Sequence, residues 1–217
     1  MEDLAAIILS AGAGRRLGSR PKALLERDGQ PLLVRMVDQL EQAGLRQIHA
    51  VLGHHAKDIE PVLALAQADP RRTAALRWVC NPSPDGGTAA SLRAGLGAVE
   101  SNASAVVVVL ADLPLLNAQD IRDVLQAWRT RGPEVGLVLP VHDGTPGHPL
   151  VLGASPRRWL AQQPSTVGVR EWRVAHPEQV RQVPVRHHRC TTDVDTEADL
   201  AALARDHGVR LRWPNPR

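Results

Sequence analysis

The chain of 217 residues contains no phenylalanine and no tyrosine. Five tryptophans are its whole complement of large aromatic side chains. That is a poor supply of the stacking platforms on which single-stranded nucleic acid is held. Nucleic acid is therefore not expected as a partner, and the core must be built from Leu, Val, Ile, Ala and Trp. Cysteine is nearly absent too. Cys80 and Cys190 lie far apart, so the chain offers neither a disulfide framework nor a metal-knuckle spacing. Two buried free thiols in a reducing cytoplasm are the expectation. No apolar run approaches the length needed to span a bilayer; the longest covers residues 105–111. The N-terminus opens a strand almost at once, without a basic region or a cleavage site. A cytoplasmic protein with no membrane partner is expected. Blocks of five or more like charges are missing as well. A net charge of +3 with a pI near 9.5 suits a small anionic substrate at least as well as nucleic acid. Finally, lysine is scarce: Lys22 and Lys57 stand against 24 arginines.

What is present alternates regularly. Apolar strand-like runs occupy residues 4–9, 47–52, 76–80, 105–110, 135–140, 149–151 and 182–185. Helical patterns occupy 31–43, 56–67, 87–99, 117–130, 156–162, 167–176 and 196–207. Asn117 with Asp120, and Thr196 with Asp199, read as N-caps with an acid at the third helical position. The 105–111 run is apolar on both faces, as a central parallel strand requires. The expectation is an α/β fold: a three-layer, mostly parallel, Rossmann-like sheet with ligands at the carboxyl ends of its strands. One domain over 1–209 and a loose tail over 210–217 complete the layout.

The first strand runs straight into Leu9-Ser10-Ala11-Gly12-Ala13-Gly14-Arg15-Arg16-Leu17-Gly18, with Pro21-Lys22 beyond. Glycines permit a tight turn and a close backbone approach. Arg15, Arg16 and Lys22 add positive charge where exposed N–H groups already favour an anion. These are the parts of a phosphate site. The spacing G-x-G-x-x-x-G is one residue too long for the dinucleotide fingerprint, and the string G-x-x-x-x-G-K-[ST] is absent. A lysine retained in so arginine-biased a chain points to a need for a compact ammonium.

Three further segments carry chemistry. Asp112 follows the central apolar strand directly, where a carboxylate can ligate Mg²⁺ beside phosphate oxygens. The polar, glycine-rich loop from Asn81 to Leu92 follows the third strand; Asn81 and Ser91 are placed to bond a base or ribose, and Gly87 to allow close approach. Gly144-Thr145-Pro146-Gly147-His148-Pro149 fixes an unusual backbone path that puts His148 toward a second substrate. Asp193 and Asp195 alternate just before the last helix, so both carboxylates can face one ion. His187-His188-Arg189-Cys190 contains metal-capable residues without a partner cluster.

The motifs Leu-Ser-Ala-Gly-x-x-x-Arg-Leu-Gly…Pro-Lys at 9–22, Asn-Pro…Gly…Ser-Leu at 81–92, Ala-Asp-Leu-Pro at 111–114, Gly-x-Pro-Gly-His-Pro at 144–149 and Asp-Val-Asp-Thr-x-x-Asp-Leu at 193–200 occur in order along nearly the whole chain. In this the sequence resembles the molybdopterin nucleotidyltransferases, most closely the molybdenum cofactor cytidylyltransferase type. The resemblance implies transfer of CMP from CTP to the terminal phosphate of molybdopterin, with Mg²⁺ as cofactor and a molybdoenzyme as recipient of the product. It implies Arg15, Lys22 and Asp112 as catalytic residues. It implies a nucleotide site of Leu9, Ser10, Ala11, Gly12, Gly14, Arg15, Lys22, Asn81, Gly87 and Ser91, with Ala11 at the position that separates CTP from GTP users. The acceptor side would be Gly147, His148 and Pro149, and the metal ligands Asp112 and Asp195. Ala111 stands where the family usually has glycine, and Thr166 where an acid is common. A guanylyltransferase, a cytidylyltransferase for another small phosphate acceptor, and a non-catalytic nucleotide- or cofactor-binding chaperone are the alternatives; binding alone has no need of a metal carboxylate at 112.

Overall fold

The structure, a computed structural model, describes residues 3–100 and 102–214. The strands are β1 (Leu4–Leu9), β2 (Glu26–Arg27), β3 (Gln30–Pro31), β4 (Gln47–Leu52), β5 (Ala75–Cys80), β6 (Ala105–Leu110), β7 (Leu137–His142), β8 (Thr145–Pro146), β9 (Leu150–Leu152), β10 (Val180–Pro184) and β11 (Leu211–Arg212). The helices are α1 (Leu32–Gln42), α2 (Ala56–Ala68), α3 (Gly87–Ala98), α4 (Ala118–Arg129), α5 (Ala154–Gln162), α6 (Val169–Ala175) and α7 (Glu197–His207).

The main sheet runs β10-β7-β9-β6-β1-β4-β5, with β8 hung on β7. β1 pairs parallel with β4 and β6, β4 with β5, and β7 with β10. β9 alone along that path is antiparallel, to both β6 and β7. β1 and β6 are buried almost throughout, as β-branched and aliphatic residues covered on both faces should be. Alternation sends neighbours to opposite layers. Ile8 belongs to one core layer with Leu33, Met36 and Leu40 of α1 and with Ile59, Val124 and Trp128, while Ile7 belongs to the other with Val51, Leu92, Leu160 and Trp172. Each such buried side chain contributes about 1.5–3 kcal/mol. Both expected capping boxes form, at Asn117 with Asp120 and at Thr196 with Asp199.

This topology positions the site. From β1 the chain crosses to β4 on one side; from β6 it crosses to β7 on the other. A crevice therefore opens between the carboxyl ends of β1 and β6, the switch point where α/β sheets bind ligands. Leu9 lies opposite Leu110, so the loops that follow leave the sheet at one level.

Two expectations need correction. The tail was expected to be loose from Arg210, yet Leu211 and Arg212 pair with Arg27 and Glu26 in a second sheet, β11-β2-β3. Leu211 and Trp213 pack on a small core of Leu17, Leu25, Leu32, Val194 and Leu203, and the Arg20 guanidinium lies 3.8 Å from the Trp213 ring centroid. Residues 215–217 of that tail lie outside the described residues. Cys80, expected to be buried, is exposed because it ends the edge strand β5; Cys190 is buried as expected.

Candidate active site

The loop after β1 is shaped by its own contacts. Ser10 spends both its N–H and its hydroxyl on the Val51 carbonyl, at 3.0 and 2.8 Å, which ties the end of β1 to β4. Gly14 is left-handed, and its carbonyl accepts from Leu17 and Ser19 at 2.8 and 3.0 Å. A Cβ there would meet the Arg20 carbonyl at 2.0 Å, so only glycine turns the chain at this point. Ala11 is buried against Gly53, where any Cβ would fall within 2.7 Å of the Ala11 methyl. The alanine at the position expected to read the base is thus seated on a glycine that sequence reasoning did not single out.

Lys22 reaches into the cleft from the short 3-10 turn Lys22–Leu24. Its side chain is 16% exposed, and Nζ donates to Asp112 Oδ2 at 2.5 Å and to Asp195 Oδ1 at 2.6 Å. Burial alone would lower the ammonium pKa; Asp112 first and Asp195 after it hold it above its ordinary value instead. Asp195 is likewise pulled below the usual carboxylate range: burial works against this, but Lys22 and then Arg16 outweigh it. The Val194 N–H donates to the Asp112 carbonyl at 3.2 Å, so the strand-end aspartate and the 193–195 segment are stitched together. Asp193 faces the same cleft. Desolvation, followed by the charges of Asp112 and Asp195, raises its pKa.

This cleft of about 330 Å³ is lined by Leu9, Ser10, Ala11, Gly12, Lys22, Gly87, Ser91, Asp112, Asp193 and Asp195, among others. A neighbouring hollow of about 320 Å³ runs along Gly12, Gly14, Arg15, Arg16, His54 and Asp85. Arg15 lies there, 76% exposed, paired with Asp85 at 2.8 Å. His54 Nε2 lies 3.4 Å from the same carboxylate. Arg16 pairs with Asp195. Arg15, Arg16 and Lys22 therefore each already hold a carboxylate. Asp85 is a part of the site that the sequence did not signal; Arg16, expected among the phosphate-binding cations, and Asp193, expected to share an ion with Asp195, both line the main cleft.

Asn81 is placed differently from its expected role. It is buried, with Nδ2 donating to Ser91 Oγ at 3.1 Å and Oδ1 accepting from the Ser83 N–H at 2.9 Å. Ser91 donates in turn to the Gly87 carbonyl at 3.1 Å. Asn81 does not line the cleft, and its amide braces the loop that does.

His148 does not meet these groups. It lines a separate pocket of about 300 Å³ with Thr166, Gly168, Arg170 and Glu171, which shares Leu9 and Thr88 with the main cleft. The peptide bond to Pro149 is cis. Gly147 packs against the Cys190 carbonyl, and the His148 N–H donates to it at 2.9 Å. His148 Nδ1 lies 3.1 Å from the Val108 carbonyl, which can only accept, so Nδ1 carries the proton. Burial keeps the ring pKa below its ordinary value, against smaller raising effects from that bond and from Asp112. With Nδ1 donating to that carbonyl, Nε2 of the uncharged ring is an acceptor.

Residues 187–190 serve the fold. Arg189 and His187 bind Asp120 of α4, at 2.6 and 3.2 Å, and the His188 ring packs between those of His142 and His207. Among the described residues no three His, Cys, Asp or Glu form a metal-holding group, and no helix is long and apolar enough to cross a membrane.

A sequence profile for the MobA-like NTP transferase domain matches residues 6–182. The chain belongs to that family. Its relatives include the bifunctional protein GlmU of Sorangium cellulosum, 28% identical over 179 residues, which cover 81% of this chain and 36% of that protein. The chain thus spans about a third of the length of that curated relative. The crystal structure of Rv0371c from Mycobacterium tuberculosis H37Rv superposes with a TM-score of 0.72 at 28% identity, covering 93% of this chain and 97% of that one; the same protein has also been crystallised with manganese. Molybdopterin-guanine dinucleotide biosynthesis protein A of Archaeoglobus fulgidus shares the fold at 18% identity, with a TM-score of 0.62 and coverage of 91% and 95%. The central sheet, with helices on both faces, is the nucleotidyltransferase fold that the sequence led one to expect.

Proposed function

We propose that this MobA-like domain moves CMP from CTP to a phosphate-bearing small acceptor, with molybdopterin the acceptor its sequence motifs favour. The observation that carries this reading is Lys22, held between Asp112 and Asp195 at the switch point of the sheet. A nucleotide-binding module needs cations for its phosphates. It has no use for two carboxylates converging on one position beneath them.

Two carboxylates that share one cation position are hard oxygen donors of the kind magnesium takes alongside phosphate oxygens, so the donor set fits. Asp112 and Asp195 would hold Mg²⁺, which supplies neutralisation of charge on the triphosphate. Lys22 then exchanges its carboxylates for phosphate oxygens. Arg15 and Arg16 do the same, leaving Asp85 and Asp195. The Ala11–Gly14 backbone lies along the phosphates. An oxygen of the acceptor's phosphate forms a bond to the α-phosphorus of CTP, the bond from that phosphorus to the α–β bridging oxygen breaks, and pyrophosphate leaves with the electron pair. A phosphate monoester with a second pKa near ~6 is already ionised at neutral pH, so no protein base is required. Catalysis is positioning and charge compensation. His148, with Nδ1 donating to the Val108 carbonyl, accepts at Nε2 a hydrogen bond from a donor on the acceptor.

Pyrophosphate release with CTP, Mg²⁺ and molybdopterin tests the reading. Turnover with CTP well above that with GTP is expected. Faster turnover with GTP overturns the base assignment, and no pyrophosphate with any nucleoside triphosphate overturns the reaction.

A further inference from the structure

Two hollows open off the main cleft at separate places. The His148 pocket shares only Leu9 and Thr88 with it. The hollow of about 320 Å³ beside Arg15 shares Gly12, Arg16 and Lys22 with it, and no residue with the His148 pocket. In a displacement at phosphorus the attacking and leaving oxygens lie roughly in line, on opposite sides of the centre. An acceptor that enters from the His148 pocket therefore sends pyrophosphate the other way, into the hollow beside Arg15.

In that hollow two donors from different loops converge on one oxygen. Asp85 Oδ1 accepts from the Arg15 guanidinium at 2.8 Å, and His54 Nε2 faces the same oxygen from 3.4 Å. A carboxylate oxygen only accepts, so Nε2 presents an N–H to it. A point met by a guanidinium and an imidazole N–H is a position for an anion. Its present occupant is loosely held. Asp85 is 72% exposed, on the short 3-10 turn Pro84–Gly86, and exposed ion pairs contribute little.

His54 is placed there by the phosphate loop itself. Gly53 before it packs on Ala11, and the His54 N–H donates to the Ala11 carbonyl at 3.4 Å. The His55 ring donates from Nε2 to the Ala13 carbonyl at 3.0 Å. These bonds fix the backbone of the 53–55 turn and occupy His55. The His54 ring, 27% exposed, makes no hydrogen bond among the described residues, so the fold gives it no structural task. It is a donor held in the hollow and left for a ligand.

We infer that His54 and Arg15 form the seat of the departing pyrophosphate and that Asp85 holds this seat until the phosphates arrive, an assignment that rests on the transferase reading above. After transfer, Asp85 competes for the same two donors and so helps pyrophosphate leave.

Calorimetric binding of pyrophosphate and of CMP, each with Mg²⁺ and without acceptor, tests this. His54→Ala should weaken pyrophosphate binding about tenfold, the value of one hydrogen bond to a charged group, and leave CMP binding unchanged. Asp85→Ala should tighten pyrophosphate binding about two- to threefold, a small gain because the pair it removes is exposed. Unchanged pyrophosphate affinity in His54→Ala overturns the seat, as does an equal loss of CMP affinity, which would make His54 a brace of the phosphate loop. Weaker or unchanged pyrophosphate binding in Asp85→Ala overturns its role as the resident anion. Pyrophosphate carries neither base nor acceptor, so a wrong base or acceptor leaves this result readable. A protein that turns over CTP without these shifts loses only the seat; one that binds neither pyrophosphate nor CMP loses the transferase reading with it.

Discussion

The main cleft and the His148 pocket are built on different electrostatic plans. On the side proposed for the nucleotide, Arg15, Arg16 and Lys22 each hold a carboxylate from a distant part of the chain, and Asp193 adds one more carboxyl group. On the side proposed for the acceptor, His148 sits among Thr88, Leu92, Val108 and Leu150, with Nδ1 against a backbone carbonyl and the exposed Arg170 and Glu171 at the rim. A triphosphate entering the first half exchanges existing ion pairs for new ones, so its affinity depends on differences between strong interactions. A ligand entering the second half meets mainly shape, apolar surface and single hydrogen bonds, with charge confined to Arg170 and Glu171. The contrast predicts that charge changes on one side act strongly and leave the other side's ligand alone.

The largest break in the contrast should come from Asp112→Asn, which keeps shape and removes charge. Turnover should fall by about two to three orders of magnitude, as when one preorganised electrostatic contact is lost. The folded state should survive, because Lys22 keeps Asp195 as a partner. Steady-state kinetics beside a thermal melt check it; near-normal turnover in a folded variant would remove Asp112 from the chemistry.

Lys22→Arg sharpens the same side. The Nζ sits between two carboxylates at 2.5 and 2.6 Å, a geometry that suits a point charge better than a planar fork. Triphosphate affinity should fall by about tenfold. Affinity equal to that of the natural protein would mean that lysine's compactness is irrelevant here.

How much of this was legible in advance differs between the halves for a physical reason. Asp112 could be read because a charged residue at the end of an apolar strand must emerge at the sheet edge, Lys22 because it closes the glycine loop after β1, and Asp195 because it alternates with Asp193; strands β1, β4 and β6 fall where their patterns placed them. That Asn81 braces its own loop could not be read, since an amide bonds as readily to protein as to ligand. Nor could the small sheet be seen. Two-residue strands such as β2, β3 and β11 are too short to show any period, and the tail that supplies β11 looks polar and proline-rich. The antiparallel β9 was found as a strand, but its direction is set by a sheet neighbour that no local pattern announces. The seat of Ala11 on Gly53 joins residues from two loops and leaves no trace in either.

His148→Ala probes the neutral half. It removes one hydrogen bond in the pocket that shares only Leu9 and Thr88 with the phosphate cleft. The acceptor KM should rise about three- to tenfold, the value of a single neutral hydrogen bond, with CTP affinity unchanged. A loss of CTP affinity at an unchanged melt would place His148 on the nucleotide side and erase the division.

The smallest effect should separate stability from function within the charged half. Asp193 faces Asp112 and Asp195, and desolvation, with those two charges after it, raises its pKa. For an acid whose folded pKa is raised, the fold favours the protonated form. That contribution is complete below the ordinary carboxylate pKa and is lost as pH rises through the folded value. At neutral pH the ionised Asp193 is therefore a burden on the folded state. Asp193→Asn should melt slightly higher than the natural protein at pH 7, and the gap should close as pH falls toward 3.8, the value ordinary for the group. Melting curves across that range, without divalent ions, measure it. Mg²⁺ should narrow the gap as well, because a cation among these carboxylates relieves the same repulsion. A variant that melts lower at pH 7 would show that Asp193 is held by attractive partners, and that the cleft is less crowded with negative charge than its geometry indicates.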